Sequence, residues 1–504
     1  MSVKTETTTK LDERTAALAR QYRPLAIRIL REAIRIPADH LESDPRCGLS
    51  GHEKPRLDYL YKTILEIGAV ERPEDAGFDA FGDLVWSVED RTDGIPSAEK
   101  VVIMLDGHTD TVNALRDRWH EAIGGGIDPY YGWIDGARVD RDFLARELGY
   151  LPPESEWEHL VWGRGSADQL AGVVCQIVAT KILNELRDEG ALRGVIVRAY
   201  GTVSEEDNDG GGPMYLMREV FPTATQDRIP DVVILTEGTG CAKLGPLGIY
   251  RGQRGRMQIE VEVTGKSCHG SMPWEGRNPL EYGAAMIVEA AQRYRDGDGF
   301  GRDPFLGGGT LTASWATLST PSDCAVPERF TFRFDRRLTA GETPDRALDD
   351  VRTLPSVAKA TADGLHVEVR APLYTDATWN GYRLDNPQIY PGWVTPADHP
   401  SIVAAVEAYQ GVTSRAPRVA RWIFSTDGVG FPTRTLEVPP SKRWIQDGDY
   451  RYPAMFGIGP GIEQNTHKIG ECVDSREFDV VIAFLSRFPS VFEEVSRREM
   501  RGAA

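Results

Sequence analysis

Short apolar runs that stop at glycine or polar residues recur three times in the first half of this 504-residue chain. They lie at Val101–Leu105, Arg193–Tyr200 and Asp231–Leu235. A segment with helical spacing, Gly172–Leu186, separates the first two runs. Such runs are typical of parallel strands, which are buried on both faces because helices cover the sheet. Alternating strands and helices of this kind predict an α/β fold.

The pattern changes near the middle of the chain. Met257–Val263 and Arg329–Phe334 alternate apolar and polar side chains, as strands do in a sheet with one solvated face. A chain of 504 residues is also too long for one compact core. We therefore expect a catalytic domain in two parts, residues 1–250 and 376–504, with an α+β domain inserted at residues 251–375.

Charge and hydropathy restrict the partners and the location of the protein. The formal net charge of −18 argues against nucleic acid and against anionic membrane surfaces, whose binding proteins present a basic face. No apolar run approaches the roughly 18 residues of a membrane span, and the start of the chain lacks the apolar core of a secretion signal. The six cysteines are scattered, which favours buried thiols over disulfides. We expect a cytoplasmic protein that acts on a small-molecule substrate.

Side chains able to bind metal stand beside the predicted strands. Six of them lie at the end of a strand, at the start of a helix or after a glycine-rich turn: His108, Asp168, Glu205, Glu206, Glu237 and His467. Because the carboxyl ends of parallel strands meet at one edge of a sheet, we expect these side chains to converge. Histidines mixed with carboxylates suit zinc, cobalt or manganese. Two such ions lower the pKa of a bridging water to roughly 7, so the pattern predicts a two-metal hydrolase.

Each motif taken alone has a plainer interpretation. His108 with Asp110 is also consistent with a loop histidine beside an acid, and Asp168 with a helix cap. Glu205 with Glu206 is also consistent with a solvated acidic turn. Their joint occurrence favours metal binding, because a cation offsets the repulsion between adjacent carboxylates. The sequence contains neither a G-x-S-x-G motif nor a P-loop that would favour a different chemistry.

The order of these residues resembles that of a known family. H-x-D, D, E-E, E, an inserted domain and H follow one another as in the aminoacylase, ArgE/DapE and carboxypeptidase-G family of di-metal metallopeptidases, peptidase family M20. Within that family, the sequence resembles the YgeY-type hydrolase branch most specifically. The stretches that carry this resemblance are GRGSADQ, YRGQRGRM, SCHGSMP, DRRLTAGET and FSTDGVG. The resemblance implies a zinc-peptidase-like catalytic domain with a mixed, largely parallel sheet, plus an inserted α+β dimerisation (lid) domain.

The resemblance also implies roles for the site residues. One ion is expected on His108, Asp168 and Glu237, and the other on Asp168, Glu206 and His467. Glu205 is expected to be the general base, and Asp110 is expected to orient His108. His269, within SCHGS, is expected to reach the active site of a partner subunit in a homodimer formed by the inserted domain.

The sequence alone does not assign a role to two arginines or to two long segments. Arg336 and Arg337 both fall in the region where the family carries a D-x-R motif, and either is a candidate for binding a substrate carboxylate. The segments Asn113–Trp162 and Pro432–Tyr452 are long elaborations beside site residues, and we expect them to shape the substrate pocket.

The function that follows is hydrolysis of an amide-type C–N bond in a small amino-acid-like substrate, whether peptide, N-acyl or N-carbamoyl (ureido). A metal-activated water would attack, with Glu205 as general base. The expected cofactors are two divalent ions, zinc first and cobalt or manganese as alternatives. Two alternatives remain: the same site used for ring opening or deamination, and a metal-binding homologue without catalysis. The intact Glu205 argues against the second.

Overall fold

The structure is a computed structural model, and it describes residues 6–39, 51–122, 129–132, 136–297, 299–437, 439 and 442–502. Its α-helices are α1 (Glu6–Ile34), α2 (Lys54–Glu66), α3 (Arg116–Ala122), α4 (Arg141–Leu148), α5 (Ala171–Glu185), α6 (Glu205–Asn208), α7 (Gly211–Tyr215), α8 (Pro279–Asp296), α9 (Pro344–Arg352), α10 (Pro355–Ala362), α11 (Pro400–Thr413) and α12 (Glu477–Gly502). Within the described part of the chain, no helix combines the length and the hydropathy needed to cross a membrane.

The strands and two-residue β-segments are, in chain order, β1 (Ala76–Phe78), β2 (Leu84–Glu89), β3 (Val101–His108), β4 (Leu160–Trp162), β5 (Val195–Thr202), β6 (Val232–Leu235), β7 (Ile249–Gln253), β8 (Gly255–Thr264), β9 (Cys268–His269), β10 (Arg302–Asp303), β11 (Gly307–Gly308), β12 (Thr310–Ser319), β13 (Ala325–Val326), β14 (Arg329–Leu338), β15 (His366–Arg370), β16 (Leu373–Tyr374), β17 (Asn386–Pro387), β18 (Ile389–Tyr390), β19 (Trp393–Val394), β20 (Val419–Trp422), β21 (Ile445–Asp447), β22 (Tyr450–Tyr452), β23 (Ala454–Gly457) and β24 (Cys472–Asp474).

The larger sheet has the order β1-β2-β5-β3-β6-β23-β7-β19, with β20 beside β7. Its centre is parallel: β3 pairs with β5 from Val101 opposite Val195 to His108 opposite Thr202, and also pairs with β6. The strands towards both edges include antiparallel pairs. The predicted α/β fold with a mixed sheet is therefore confirmed, and the parallel register brings the ends of β3 and β5 side by side.

Helix α5 shows why the sequence favours this layer. Most of its residues are buried, and a helix that is apolar on all sides must be covered on all sides. It contacts β2, β3 and β5 on the sheet and packs against α1 and α12. These elements contribute to one apolar core, which holds the central strands rigidly beneath the site.

A second, antiparallel sheet forms the inserted domain, with the order β12-β14-β8-β15 and with β18 also paired to β8. Alternate residues of β8, such as Met257 and Ile259, are buried in a separate apolar core under α8. The edge strand β12 is largely exposed. The predicted domain limits stay a prediction: 1–250, 251–375 and 376–504. The second sheet also contains a strand from beyond residue 375, because β18 (Ile389–Tyr390) pairs with β8.

Candidate metal centre

The ends of three parallel strands carry the candidate site. His108 is the last residue of β3, and Glu237 lies two residues after the end of β6. Glu205 and Glu206 open α6, shortly after the end of β5. Since these strands are parallel neighbours, their carboxyl ends lie along one edge of the sheet, and that edge is where open α/β sheets bind ligands.

Asp168 lies between two histidines. Its Oδ1 is 3.1 Å from Nε2 of His108, and its Oδ2 is 3.0 Å from Nε2 of His467. The same nitrogen of His467 lies 3.1 Å from Oε2 of Glu206, and Nε2 of His108 lies 3.8 Å from Oε2 of Glu237. The five predicted ligands therefore form two groups that share Asp168, one with His108 and Glu237 and the other with Glu206 and His467. Ligand atoms of His108, Asp168 and Glu206, a set drawn from both groups, lie within 4.8 Å of one another.

The electrostatics of this cluster fit divalent cations. Burial raises the pKa of Glu237 well above its ordinary value, and the charge of Asp168 adds to the effect. Burial would also raise the pKa of Asp168, but hydrogen bonds from His108 and His467 hold it well below its ordinary value. Oε1 of Glu237 is buried and lacks a hydrogen-bond partner within the described residues, while Oε2 accepts from Nε2 of Gln169 at 2.7 Å. A positive ion would satisfy that oxygen and offset the repulsion between the carboxylates.

A buried ion pair supports the backbone at Asp168. Oε1 of Glu471 accepts the N–H groups of Ala167 at 2.9 Å and of Asp168 at 3.1 Å. Oε2 of Glu471 accepts from Nη1 of Arg164 at 2.6 Å, and both side chains are almost completely buried. Sequence reasoning missed both residues, because they are 307 positions apart and leave no local pattern.

Asp110 contacts both His108 and the start of α6. Nδ1 of His108 lies 3.1 Å from the main-chain oxygen of Asp110 and 3.5 Å from its Oδ1. The carboxylate of Asp110 accepts the N–H groups of Glu205 at 3.2 Å and of Glu206 at 3.0 Å. The same carboxylate thus contacts the predicted metal ligand and holds the turn that carries the two glutamates.

Glu53 is a further buried acid that sequence reasoning missed. Its Oε1 accepts the N–H of Ser204, the residue before α6, at 3.2 Å. Burial, and then the charge of Asp110, raise the pKa of Glu53 to about 8.

Glu205 itself is buried, and its Oε2 lies 3.9 Å from Nε2 of His108. Burial raises the pKa of Glu205 well above its ordinary value, although the charge of His108 opposes this.

A cavity of about 300 Å³ opens over the cluster. Asp168, Glu205 and His467 line it on the catalytic-domain side, and Arg256 and Arg337 reach it from β8 and β14 of the inserted domain. The site therefore lies between the two domains, with carboxylates on one wall and two cationic side chains on the other.

The structure distinguishes the two arginines that the sequence left open. Arg337 lines the cavity, where its Nη1 donates to Oγ of Ser425 at 3.1 Å. Arg336 is 2% exposed, pairs with Glu342 at 2.6 Å and lies over the ring of Phe300. Successive residues of a strand point to opposite faces, so only one of the two can face the cavity.

His269 is exposed and does not line the described cavity of its own chain. It belongs to β9, which pairs with β13. Nδ1 of His269 accepts the N–H of Ser271 at 3.1 Å. A nitrogen that accepts a hydrogen bond carries no proton, so a neutral His269 has its proton on Nε2.

The described residues of the two elaborations lie away from the cavity wall. Among the described residues, its lining includes none from Asn113–Trp162 or from Pro432–Tyr452. The first packs instead against the segment that carries His467, through a small apolar core and the pairing of β4 with β24. The hydroxyl of Tyr150 also donates to Oδ1 of Asn465 at 2.5 Å. This elaboration supports the His467 loop, and the expectation that both segments shape the pocket finds no support at the cavity wall.

Comparison with known proteins agrees with this geometry. Residues 251–361 match the family described as the peptidase dimerisation domain of M20 peptidases. The chain is similar to the uncharacterized protein YgeY of Escherichia coli (strain K12), with 36% identity over 457 residues, which cover 90% of this chain and 91% of that protein. It is also similar to the succinyl-diaminopimelate desuccinylase of Methylobacterium radiotolerans, with 25% identity over 479 residues, 92% of this chain and 95% of that protein. The fold resembles the M20 family metallo-carboxypeptidase Sso-CP2 from Sulfolobus solfataricus, with a TM-score of 0.60 and 14% identity, covering 93% of this chain and 99% of that one.

Proposed function

The chain belongs to the M20 family of metallopeptidases, in the branch of the YgeY protein, and on this premise we propose that it hydrolyses an amide-type C–N bond of a small amino-acid-like substrate. The bond would be a peptide, N-acyl or N-carbamoyl (ureido) bond. The observation that carries the proposal is the position of Asp168, whose two oxygens lie 3.1 and 3.0 Å from the Nε2 atoms of His108 and His467. A cytoplasmic location remains part of the proposal.

The proposed metal ligands are two sets that share one residue. They are His108, Asp168 and Glu237 for one ion, and Asp168, Glu206 and His467 for the other. Support comes from the convergence of these side chains and from the unpartnered oxygen of Glu237. The donor set suits zinc, with cobalt or manganese as alternatives. When bound, a pair of divalent ions supplies a more acidic water and stabilises the negative charge of the transition state.

Glu205 is the proposed general base. Its carboxylate lines the cavity beside the ligands, where it can take a proton from the attacking water and pass it to the departing nitrogen. The N–H groups of Glu205 and Glu206 donate to Asp110, and these hydrogen bonds favour one orientation of the turn. The Glu205 carboxylate is therefore in place before the reaction, and no entropy is lost in ordering it during the catalytic step.

The cavity wall opposite the carboxylates indicates the substrate class. Arg337, which also pairs with Asp335 at 2.7 Å, brings a guanidinium to a cavity of about 300 Å³, a size suited to a small substrate. The guanidinium of Arg256 is instead taken up by the carboxylate of Asp209. A guanidinium binds a carboxylate through directed, charge-assisted hydrogen bonds, so the wall favours a substrate with a free carboxylate.

A homodimer through the inserted domain completes the proposal. The edge strand β12 is free of charged residues and exposes Trp315 and Leu318, and Val288 of α8 is 66% exposed. Apolar side chains around an unpaired strand edge favour association with another copy. In such a dimer, the Nε2–H of His269 would donate to the developing oxyanion in the site of the partner subunit.

The experiment is a substrate screen of the metal-loaded enzyme. We expect zinc-, cobalt- or manganese-loaded protein to release free amine from at least one N-acyl amino acid, N-carbamoyl amino acid or dipeptide. Glu205→Gln should retain both ions and lose about 10²–10⁴ in kcat, the usual effect of removing a general base. Ammonia without acyl release would favour deamination, and a single product heavier than a cyclic substrate by one water would favour ring opening. A Glu205→Gln protein with normal kcat would contradict the assignment of the base.

A further inference from the structure

The turn that carries Glu205 and Glu206 is bounded by two unusual backbone conformations. Ser204, just before α6, has φ +62°, and Asp209, just after it, has φ +44° and ψ −107°. Residues other than glycine adopt positive φ rarely, and such conformations persist where surrounding contacts hold them. The contacts around Ser204 and Asp209 therefore determine whether the turn keeps its shape.

The start of the turn is held by the catalytic domain. The N–H of Ser204 donates to Glu53, and the N–H groups of Glu205 and Glu206 donate to Asp110. These acceptors are buried, so their positions are determined by the core around them.

The end of the turn is held by the second sheet. Nη1 of Arg256 donates to Oδ2 of Asp209 at 2.5 Å, and the hydroxyl of Tyr390 donates to Oδ1 of Asn208 at 2.9 Å. Arg256 in β8 and Tyr390 in β18 lie opposite each other on adjacent strands. The charge of Asp209 also raises the pKa of Arg256, so this guanidinium stays charged.

We propose that Arg256 and Tyr390 are positioning residues that hold Asp209 and Asn208. The position of the inserted domain against the catalytic domain then determines the position of the Glu205–Glu206 turn. The start of the turn is bound to the catalytic domain, and its end is bound to the second sheet and, through the hydroxyl of Ser425 at 3.4 Å from Oδ1 of Asp209, to the catalytic domain as well. A movement of the second sheet away from the catalytic domain would remove the contacts of Arg256 and Tyr390 from that end. The part that concerns Glu205 rests on the proposed function, whereas the mechanical link does not.

The test compares two variants with two matched controls. Arg256→Gln removes the charge and Tyr390→Phe removes only the hydroxyl. Arg333→Gln is the control on the same sheet, because Arg333 pairs with Glu260 and does not line the cavity. Tyr282→Phe is the second control, because the hydroxyl of Tyr282 donates to Asp363 on the surface of the inserted domain.

Hydrogen–deuterium exchange gives a readout that needs no substrate. In both test variants, a peptide covering residues 203–210 should exchange about tenfold faster, the effect of losing one coupled contact. Both controls should exchange as the wild type does. Asp209→Asn combined with Arg256→Gln should exchange no faster than Arg256→Gln alone, because the two changes remove the same contact.

Kinetics then separate positioning from substrate binding. With the substrate found in the screen, both test variants should lose about tenfold in kcat with little change in KM, as expected for an interaction that acts on the catalytic step. Unchanged exchange in both test variants would overturn the proposal. A raised KM with normal exchange in Arg256→Gln would overturn it too, since Arg256 would then be a substrate ligand. If Arg256→Gln does not fold, the exchange rate of Tyr390→Phe decides the proposal alone. A wild-type protein that turns over no substrate in the screen would refute the proposed function, but the exchange result would still test the mechanical link.

Discussion

Glu471 holds the main chain of Asp168, since its Oε1 accepts the N–H of Asp168 at 3.1 Å. The other oxygen pairs with Arg164, and the pair is buried. We predict that Glu471→Ala lowers the free energy of unfolding by about 3–5 kcal/mol, because it leaves Arg164 charged and unpaired in the interior. It should also reduce the metal content, because the proposed bridging ligand loses its support.

Chemical denaturation and elemental analysis check this prediction together. Glu493→Ala, at a glutamate that pairs with an arginine one helical turn away on α12, is the control. A Glu471→Ala protein as stable as the wild type, with full metal content, would show that the Asp168 backbone does not depend on this ion pair.

Metal stoichiometry tests the shared role of Asp168. A bridging carboxylate serves two ions and a terminal ligand serves one. Asp168→Ala should therefore bind neither ion, whereas His108→Ala should retain one. Elemental analysis after dialysis gives both numbers, and a circular dichroism spectrum confirms that each variant is folded. Two ions in Asp168→Ala would mean that the bridge is another residue.

Much of this site could be predicted because its signals are local. The apolar runs that form β3, β5 and β6 place His108 at a strand end and Glu205 and Glu237 within three residues of one. Because the three strands are parallel neighbours, these ends lie side by side. The alternation in β8 and β14 likewise predicted the second sheet.

The supporting residues could not be predicted because their contacts are distant in sequence. Glu471 meets Asp168 across 303 positions, and Glu53 meets Ser204 across 151. Nothing in the neighbouring residues indicates such a partner. The position of Asn113–Trp162 between His108 and Asp168 in sequence predicts a place at the pocket, but the buried apolar residues described for this segment form a separate small core with Ile469 and Cys472.

The raised pKa of Glu53 predicts a pH dependence of stability. Its pKa rises from the ordinary value of 4.5 to about 8 in the folded protein, so Glu53 holds one more proton in the folded state than in the unfolded state between these pH values. The free energy of unfolding should therefore fall as pH increases through this window, by about 1.4 kcal/mol per pH unit for this group. Glu53→Gln removes the contribution, and its stability should depend less on pH.

Denaturant midpoints at pH 5, 6, 7 and 8 measure the effect. Glu281→Gln, at an exposed glutamate of α8, is the control and should follow the wild type. A Glu53→Gln protein whose midpoints decline with pH as steeply as those of the wild type would contradict the prediction.

His269 does not line the described cavity of its own chain. If His269 donates from Nε2 to the oxyanion in the site of the partner subunit, its loss removes a donor worth about 3–4 kcal/mol. Homodimers of His269→Ala and of Glu205→Gln should then each be nearly inactive. In a mixed dimer, the His269→Ala subunit keeps its own Glu205 and receives the intact His269 of the partner subunit. One of the two sites is then complete, so a verified mixed dimer should show about half the activity of the wild type. Differently tagged subunits, refolded together and purified through both tags, supply that species. No recovery of activity in such dimers would mean that His269 acts within its own chain or takes no part in the reaction.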